Sequence, residues 1–160
     1  MPKRLLTVFL CILALSIASF AAPKKSAAKT GPSGPAPDKA YLQKLLDGWN
    51  TGDPANMTQY YIQGDHTFFD IAPLKYNNWP EYQKGATELL KGYKSFKLTL
   101  NDDSQIHQEG NLAWSTATVK EDAVTTAGKH EMATQRWTVI FQKQDGKWLI
   151  VHEHSSEPLQ

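Results

Sequence analysis

The 160-residue sequence predicts an α+β domain in which about three helices pack on one face of a curved antiparallel sheet. Apolar residues recur at helical spacing only in the first part of the foldable chain, up to about residue 90. After that point, apolar and polar residues alternate in segments that are separated by turn residues. Helices that precede a run of strands, rather than alternating with strands, are typical of the α+β class.

Each of the three predicted helices has a recognisable start. The first begins after Asp38, a good N-cap, and ends at the turn residues 50–53. A second, short helix starts at Asp53-Pro54, and a third opens at residues 78–81, where Pro80 lies in the tolerated first turn. The apolar positions follow the helical period: Tyr41, Leu42, Leu45, Leu46 and Trp49, then Met57, Tyr60 and Tyr61, then Tyr82, Ala86, Leu89 and Leu90.

The predicted strands begin with a short one over residues 66–71, between the second and third helices. The alternating residues 96–100 then start a meander that continues over residues 112–124, 131–143 and 147–155. Asp145-Gly146 joins the last two segments and is the strongest hairpin signal in the sequence. The meander therefore supplies four antiparallel strands.

The first 21 residues predict a cleavable export signal. Lys3 and Arg4 precede an uncharged apolar run of 16 residues, and small residues lie before Ala22 at the expected cleavage site. The run is shorter than the ~20 residues that a spanning helix needs, so we expect no stable membrane anchor after cleavage. The protein is then periplasmic or secreted.

Residues 22–37 are rich in Pro, Gly, Ala, Ser and Lys and predict a flexible tether, which leaves residues 38–160 as one domain. Cys11 is the only cysteine and lies within the export signal, so the mature chain has neither a disulfide nor a thiol nucleophile. Removal of Lys3 and Arg4 from the 17 basic residues, against 16 acidic ones, leaves a formal net charge of −1. This balance argues against nucleic acid or an anionic membrane as a partner.

The order of elements resembles the SnoaL-like branch of the nuclear transport factor 2-like superfamily. Two runs carry the resemblance: residues 49–53 (WNTGD) and residues 145–158 (DGKWLIVHEHSSEP). The second run is also similar to the end of the association domain of calcium/calmodulin-dependent protein kinases. The resemblance covers residues 38–160 and implies a cone-shaped fold with an apolar pocket and dimerisation through the sheet. It does not imply one activity, because this superfold hosts isomerases, cyclases, dehydratases and assembly domains.

Asp70 is the carboxylate that the resemblance makes most interesting. Alignment of the region after the NxGD turn places Asp70 where ketosteroid isomerase, a member of the superfamily, carries its general base. The positions of that enzyme's two oxyanion groups hold Leu45 and Thr138 here, so its known mechanism is not expected. Asp70 is either a pocket base whose pKa burial raises, or a turn carboxylate that accepts backbone hydrogen bonds.

His152 and His154 lie at i and i+2 of the last strand, and unbroken alternation points them to the same face as Trp148 and Ile150. They are acid–base candidates together with Asp70. Alternatively, one histidine is structural while the other lines the pocket or a subunit interface. A His-x-His pair also suits zinc, but no second motif supplies a third ligand, so no metal and no cofactor is expected.

Arg136 and several aromatic residues are the candidate ligand-binding groups. Arg136 either clamps a ligand carboxylate from the inner face of its strand or forms a surface ion pair. Most of the aromatic residues must form the core, but the family topology places some of them at the mouth of the pocket. The candidates are Trp49, Tyr60, Phe69, Tyr76, Trp79 and Trp114.

Two functions remain open from the sequence. The first is a binding module for a small apolar or weakly acidic molecule that also acts as a homodimeric assembly unit. The second is an isomerase, dehydratase or cyclase that uses Asp70 and a strand histidine as acid and base. Nucleophilic catalysis is not indicated, because the chain has neither a GxSxG elbow nor a phosphate-binding glycine loop.

Overall fold

The computed structural model describes residues 35–159 as one α+β domain. The predicted export signal and the tether up to residue 34 lie outside the described residues. The elements are α1 (Lys39–Trp49), a 3₁₀ helix (Pro54–Tyr60), β1 (Asp65–Phe68), β2 (Tyr76–Asn78), α2 (Trp79–Leu90), β3 (Tyr93–Leu100), β4 (Gln105–Glu109), β5 (Leu112–Thr125), β6 (His130–Gln144) and β7 (Lys147–Ser156).

The structure confirms the predicted starts of all three helices, and each start is capped by a side chain. The carboxylate of Asp38 accepts the Tyr41 N–H at 2.8 Å, and the Asn78 side chain accepts the Glu81 N–H at 2.9 Å. These bonds satisfy N–H groups that the first turn of a helix leaves without partners. Asp53 caps the second helix in the same way, although that helix is 3₁₀ rather than α.

The sheet confirms the predicted meander of long strands. Its order is β3-β5-β6-β7; β3 pairs with the second half of one edge of β5, and β4 pairs with the first half of the same edge. β1 and β2 form a separate antiparallel pair beside α2. The sequence prediction missed β2 and β4, because β2 is only three residues long and β4 is mostly polar.

The core lies between the helices and the inner face of the sheet. Leu42 and Leu45 of α1 are fully buried, and so are Val139 of β6 and Ile150 of β7. Burial of one such side chain contributes about 1.5–3 kcal/mol. Along the inner face, β5 presents mainly small residues, such as Ala113, and therefore leaves room above this strand.

A bulge in β7 changes which side chains face inward. Ile150 pairs with Phe141 and His152 pairs with Ile140, so Val151 has no partner on β6. Two residues on one strand then oppose one on the other, and the inward–outward alternation shifts by one position. Trp148 and Ile150 face the core before the bulge, and Glu153 and Ser155 face inward after it.

The outer edge of β7 is covered by two segments of the chain. The Ile62 N–H donates to the Ile150 carbonyl at 3.0 Å, and the Phe69 N–H donates to the Glu153 carbonyl at 2.8 Å. The Ser155 N–H in turn donates to the Phe69 carbonyl at 3.0 Å. Phe69 thus extends the sheet by one residue, and the next residue, Asp70, is fixed close to Glu153.

The last three residues of the predicted tether lie against the domain. Pro37 is buried, and the indole N–H of Trp148 donates to the Pro35 carbonyl at 2.9 Å. Packing therefore begins before Asp38. No helix within residues 35–159 has the length and apolar character that a bilayer crossing requires.

Candidate acidic cavity

A cavity of about 560 Å³ lies between α1, α2 and the inner face of the sheet. This volume is within the range of small-molecule sites in proteins. Its walls are mainly aromatic and aliphatic, and they include Leu46, Trp49, Tyr82, Phe96, Leu98 and Trp137. The small side chains of β5 leave this space open, whereas α1 and α2 close it from above.

Glu153 is the most deeply buried charged group of the cavity, with 2% of its surface exposed. The indole N–H of Trp137 donates to Oε1 at 2.5 Å, and the hydroxyl of Tyr61 donates to Oε2. Burial raises the pKa of Glu153 to about 7, although both hydrogen bonds oppose the shift. The nearby Asp70 adds to the shift. Near neutral pH this carboxyl group can therefore either donate or accept a proton.

Asp70 lies beside Glu153 and is half-buried. Its Oδ1 accepts the backbone N–H of Ile71 at 2.8 Å. Burial raises the pKa of Asp70, while the backbone N–H of Ile71 and the nearby Tyr82 hydroxyl act in the opposite direction. The residue thus combines both alternatives that its sequence position allowed: it caps a turn and lines the cavity.

Glu121 adds a third carboxyl group from β5. It is buried, and the side-chain amide of Gln135 donates to its Oε2. Burial raises the pKa of Glu121, and the negative charge of Glu157 raises it further. The cavity therefore holds three carboxyl groups whose charged forms are disfavoured by their surroundings.

Two buried tyrosines provide neutral hydrogen-bond donors. Burial raises the pKa values of Tyr61 and Tyr82 well above 10, so both phenols remain protonated at any physiological pH. Tyr61 stacks on Trp79 with ring centres 4.1 Å apart, and Tyr82 stacks on Tyr76 at 4.8 Å. These contacts fix the orientation of the hydroxyl groups near Glu153 and Asp70.

The structure does not bring the predicted histidines to the cavity. The bulge at Val151 turns His152 and His154 to the outer face of the sheet. There the Nδ1 atom of His152 donates to the Thr67 carbonyl at 2.8 Å, and the edge of Phe69 contacts both imidazole rings. The structure therefore places neither histidine in the cavity with Asp70, because the bulge breaks the alternation along β7 that the prediction assumed.

Of the predicted ligand-binding residues, only Trp49 lines the cavity. Arg136 and Trp114 point away from the cavity on the outer face, where the Trp114 ring stacks on His107 at 5.3 Å. The remaining candidates do not line it either: Tyr60, Phe69, Tyr76 and Trp79. Trp79 is 1% exposed and belongs to the core. Because Arg136 lies on the outer face, it does not provide the carboxylate-binding group that the sequence prediction had assigned to the cavity.

The sequence prediction missed Glu121, Glu153 and Tyr82 as cavity residues, and it missed Tyr61 as a buried donor to Glu153. The sequence did contain a signal for Glu121, because strand alternation places it on the same face of β5 as the buried residues Ala117, Val119 and Ala123. For Glu153 the alternation pointed the wrong way, since nothing in the run LIVHEHS marks Val151 as a bulge.

Comparison with known proteins supports the fold. The family model described as "SnoaL-like domain" matches residues 39–160. A nuclear transport factor 2-like protein from Salmonella enterica serovar Typhimurium is 21% identical, with a TM-score of 0.66 over 76% of this chain and 91% of its own. No curated protein matches the chain significantly.

Two further structures show how widely the fold is used. A Xanthomonas campestris structure with the provisional name calcium/calmodulin dependent protein kinase II association domain is 18% identical, with a TM-score of 0.66 over 83% of this chain and 99% of its own. A hexachlorocyclohexane dehydrochlorinase, LinA type 2, is 12% identical, with a TM-score of 0.65 over 75% of this chain and 84% of its own. At such identities the likeness shows the fold alone.

The raised pKa of Glu153 predicts how stability depends on pH. The carboxyl group binds its proton more tightly in the folded state, with a pKa of about 7, than in the unfolded state, near 4.5. This stabilisation is complete below pH 4.5 and is lost as the pH rises through 7, with a total of up to about 3 kcal/mol. Glu153→Gln has no carboxyl group to ionise at this position, so we expect it to avoid that loss. The free energy of unfolding of the variant should therefore rise relative to that of the wild type between pH 5 and 8.

Urea denaturation of the full-length protein at several pH values measures this difference. Glu109→Gln, at an exposed position of β4, is the matched control and should keep the wild-type profile. Parallel profiles for Glu153→Gln and the wild type would contradict a Glu153 pKa near 7.

Proposed function

Since the chain belongs to the SnoaL-like domain family, which matches residues 39–160, we propose that its cavity binds a small, largely apolar organic molecule. The cavity itself carries this proposal: about 560 Å³ with aromatic walls and a few fixed polar groups. A weakly acidic ligand loses its support, because Arg136 lies on the outer face while Asp70, Glu121 and Glu153 line the cavity.

A substitution that fills the cavity tests the binding function. Ala133 of β6 lines the cavity, whereas its neighbour Thr134 is exposed on the outer face. We expect the wild type to bind the neutral fluorescent probe N-phenyl-1-naphthylamine, and Ala133→Trp to weaken this binding at least tenfold because the indole occupies the space. Thr134→Trp is the matched control and should bind as the wild type does.

Fluorescence titration of the full-length protein measures these affinities. If the wild type shows no saturable binding, or if Ala133→Trp binds the probe as tightly as the wild type, the proposed function is wrong.

A second candidate function is proton transfer between carbon and oxygen of a bound carbonyl compound. It is favoured by one observation: Asp70, a carboxylate whose pKa burial raises, lines an aromatic cavity together with Tyr82. Asp70 would take a proton from the carbon next to the carbonyl, and the electron pair would move to the carbonyl oxygen. The Tyr82 hydroxyl, which burial keeps neutral and which lines the same cavity, would donate to the resulting enolate oxygen.

Exchange of the α-hydrogens of 2-tetralone for deuterium in D₂O tests this chemistry by NMR. We expect the wild type to accelerate exchange at least tenfold over buffer, and Asp70→Asn to lose that excess because an amide cannot accept the proton. The exposed Glu109→Gln should exchange as the wild type does. Equal rates for Asp70→Asn and the wild type would exclude Asp70 as the base.

We further propose that the protein is a homodimer that associates through the outer face of the sheet. Large apolar side chains are exposed there: Leu112 is 47% exposed and Trp114 39%. Burial of these side chains against a second copy would remove apolar surface from water. A charge at position 114 should therefore dissociate the dimer.

Sedimentation velocity at micromolar concentration tests the dimer. The wild type should sediment as a dimer and Trp114→Glu as a monomer. Leu74→Glu, a change at a loop residue that is 89% exposed, should leave the dimer intact. A monomeric wild type would contradict the proposal.

Export of the protein remains a proposal that rests on residues 1–21. Sequencing of the exported protein from its N-terminus should find Ala22 as the first residue. A chain that retains Lys3 and Arg4 would contradict cleavage.

A further inference from the structure

We propose that the cavity selects organic cations: its ligand carries an ammonium group that lies among the carboxyl groups and a hydrocarbon part that packs on the aromatic walls. This inference rests on the proposed binding function and names the chemical class of the ligand.

The charged groups around the cavity are strongly unbalanced. One lysine lines it, and the Lys129 ammonium already pairs with Glu131 at 2.9 Å. His130, also at the cavity, pairs with Asp122 at 2.8 Å. Five carboxyl-bearing residues line the same space: Asp70, Glu121, Glu131, Glu153 and Glu157. Within residues 35–159, the cations that line the cavity are therefore already paired with other carboxylates than the buried ones.

The three inner carboxyl groups lie where a positive charge would be most favourable. Asp70, Glu121 and Glu153 all have pKa values that burial raises, so their ionised forms lack compensating charge. Their mutual repulsion contributes as well, because the charge of Asp70 raises the pKa values of both glutamates. A bound ammonium group would stabilise all three anions, whereas a bound carboxylate would add to the repulsion.

The walls of the cavity favour an organic cation over a metal ion. Within the part of the chain that the structure describes, no group of three or more His, Cys, Asp or Glu side chains is placed to hold a metal ion. By contrast, Trp49, Tyr82 and Trp137 present aromatic rings to the cavity. Aromatic rings attract ammonium groups through their quadrupoles and also accommodate hydrocarbon.

Three matched indoles test the proposal at constant shape. Tryptamine carries an ammonium group, 3-propylindole has a methyl group in its place, and indole-3-propionate has a carboxylate. We expect calorimetric titration of the full-length protein at pH 8 to give tryptamine the tightest binding, at least tenfold tighter than 3-propylindole. Indole-3-propionate should bind most weakly of the three.

Variants of the inner carboxyl groups test where the cation lies. Asp70→Asn and Glu153→Gln should each reduce the preference for tryptamine over 3-propylindole at least fivefold. Glu109→Gln, which removes an exposed carboxyl group far from the cavity, should keep the preference. Because the preference is a ratio for one variant, a general loss of folded protein does not mimic the result.

A pH series with N,N,N-trimethyltryptammonium, a permanent cation, adds an independent reading. The titratable groups that face Glu153 are Tyr61, Asp70 and Tyr82, and neither tyrosine ionises between pH 6 and 8. With a pKa of about 7, Glu153 becomes about tenfold more ionised over that interval. The affinity should rise severalfold from pH 6 to 8 in the wild type and stay flat in Glu153→Gln.

These experiments distinguish a failure of the cationic-ligand inference from a failure of the binding function. If 3-propylindole or indole-3-propionate binds as tightly as tryptamine, the inference of a cationic ligand is overturned while the binding function stands. If none of the three indoles and no N-phenyl-1-naphthylamine binds, the binding function fails and the inference fails with it.

Discussion

The bulge at Val151 determines which side chains of β7 reach the cavity. Without it, the alternation that buries Trp148 and Ile150 would carry His152 and His154 inward and leave Glu153 on the outer face. Bulges recur next to functional sites because they redirect a side chain without changing the rest of the sheet. Here the redirected residue is held at once by donors from two other elements: Tyr61, which follows the 3₁₀ helix, and Trp137 of β6.

The buried position of Glu153 makes the ionised carboxyl group unfavourable in free energy, and the surrounding side chains do not fully compensate for this. A buried carboxyl group without a cationic partner is destabilising when ionised, and two neutral donors compensate only in part. Asp70 lines the same cavity, and its negative charge makes the ionisation of Glu153 less favourable still. Side chains that break the usual rules of burial are expected where a protein binds or transforms another molecule. The cavity thus contains several buried carboxyl groups that selection for stability alone would not favour.

Much of the fold was predictable from local chemistry. The caps at Asp38 and Asp53, the helix start at residues 78–81 and the Asp145-Gly146 hairpin depend on neighbouring residues only, and the structure confirms them. The candidate site was harder to predict, because it depends on which face of the sheet each residue of the long strands occupies. Alternation along β5 was sufficient to place Glu121 inward, but one extra residue in β7 inverted the assignment of every position after it. The short strands β2 and β4 form by pairing with their neighbours β1 and β5, and they have no strong sequence signal of their own.

Glu153 lies on the inner face and keeps its proton up to near neutral pH, and a direct titration of its side-chain carboxyl carbon tests this placement. ¹³C NMR of protein labelled at the glutamate side-chain carboxyl carbons, with the resonance assigned by its loss in Glu153→Gln, would follow this group from pH 4 to 9. The structure predicts an apparent pKa of about 7, which describes Glu153 together with its neighbour Asp70. An apparent pKa near 4.5, the value of an exposed glutamate, would contradict the account.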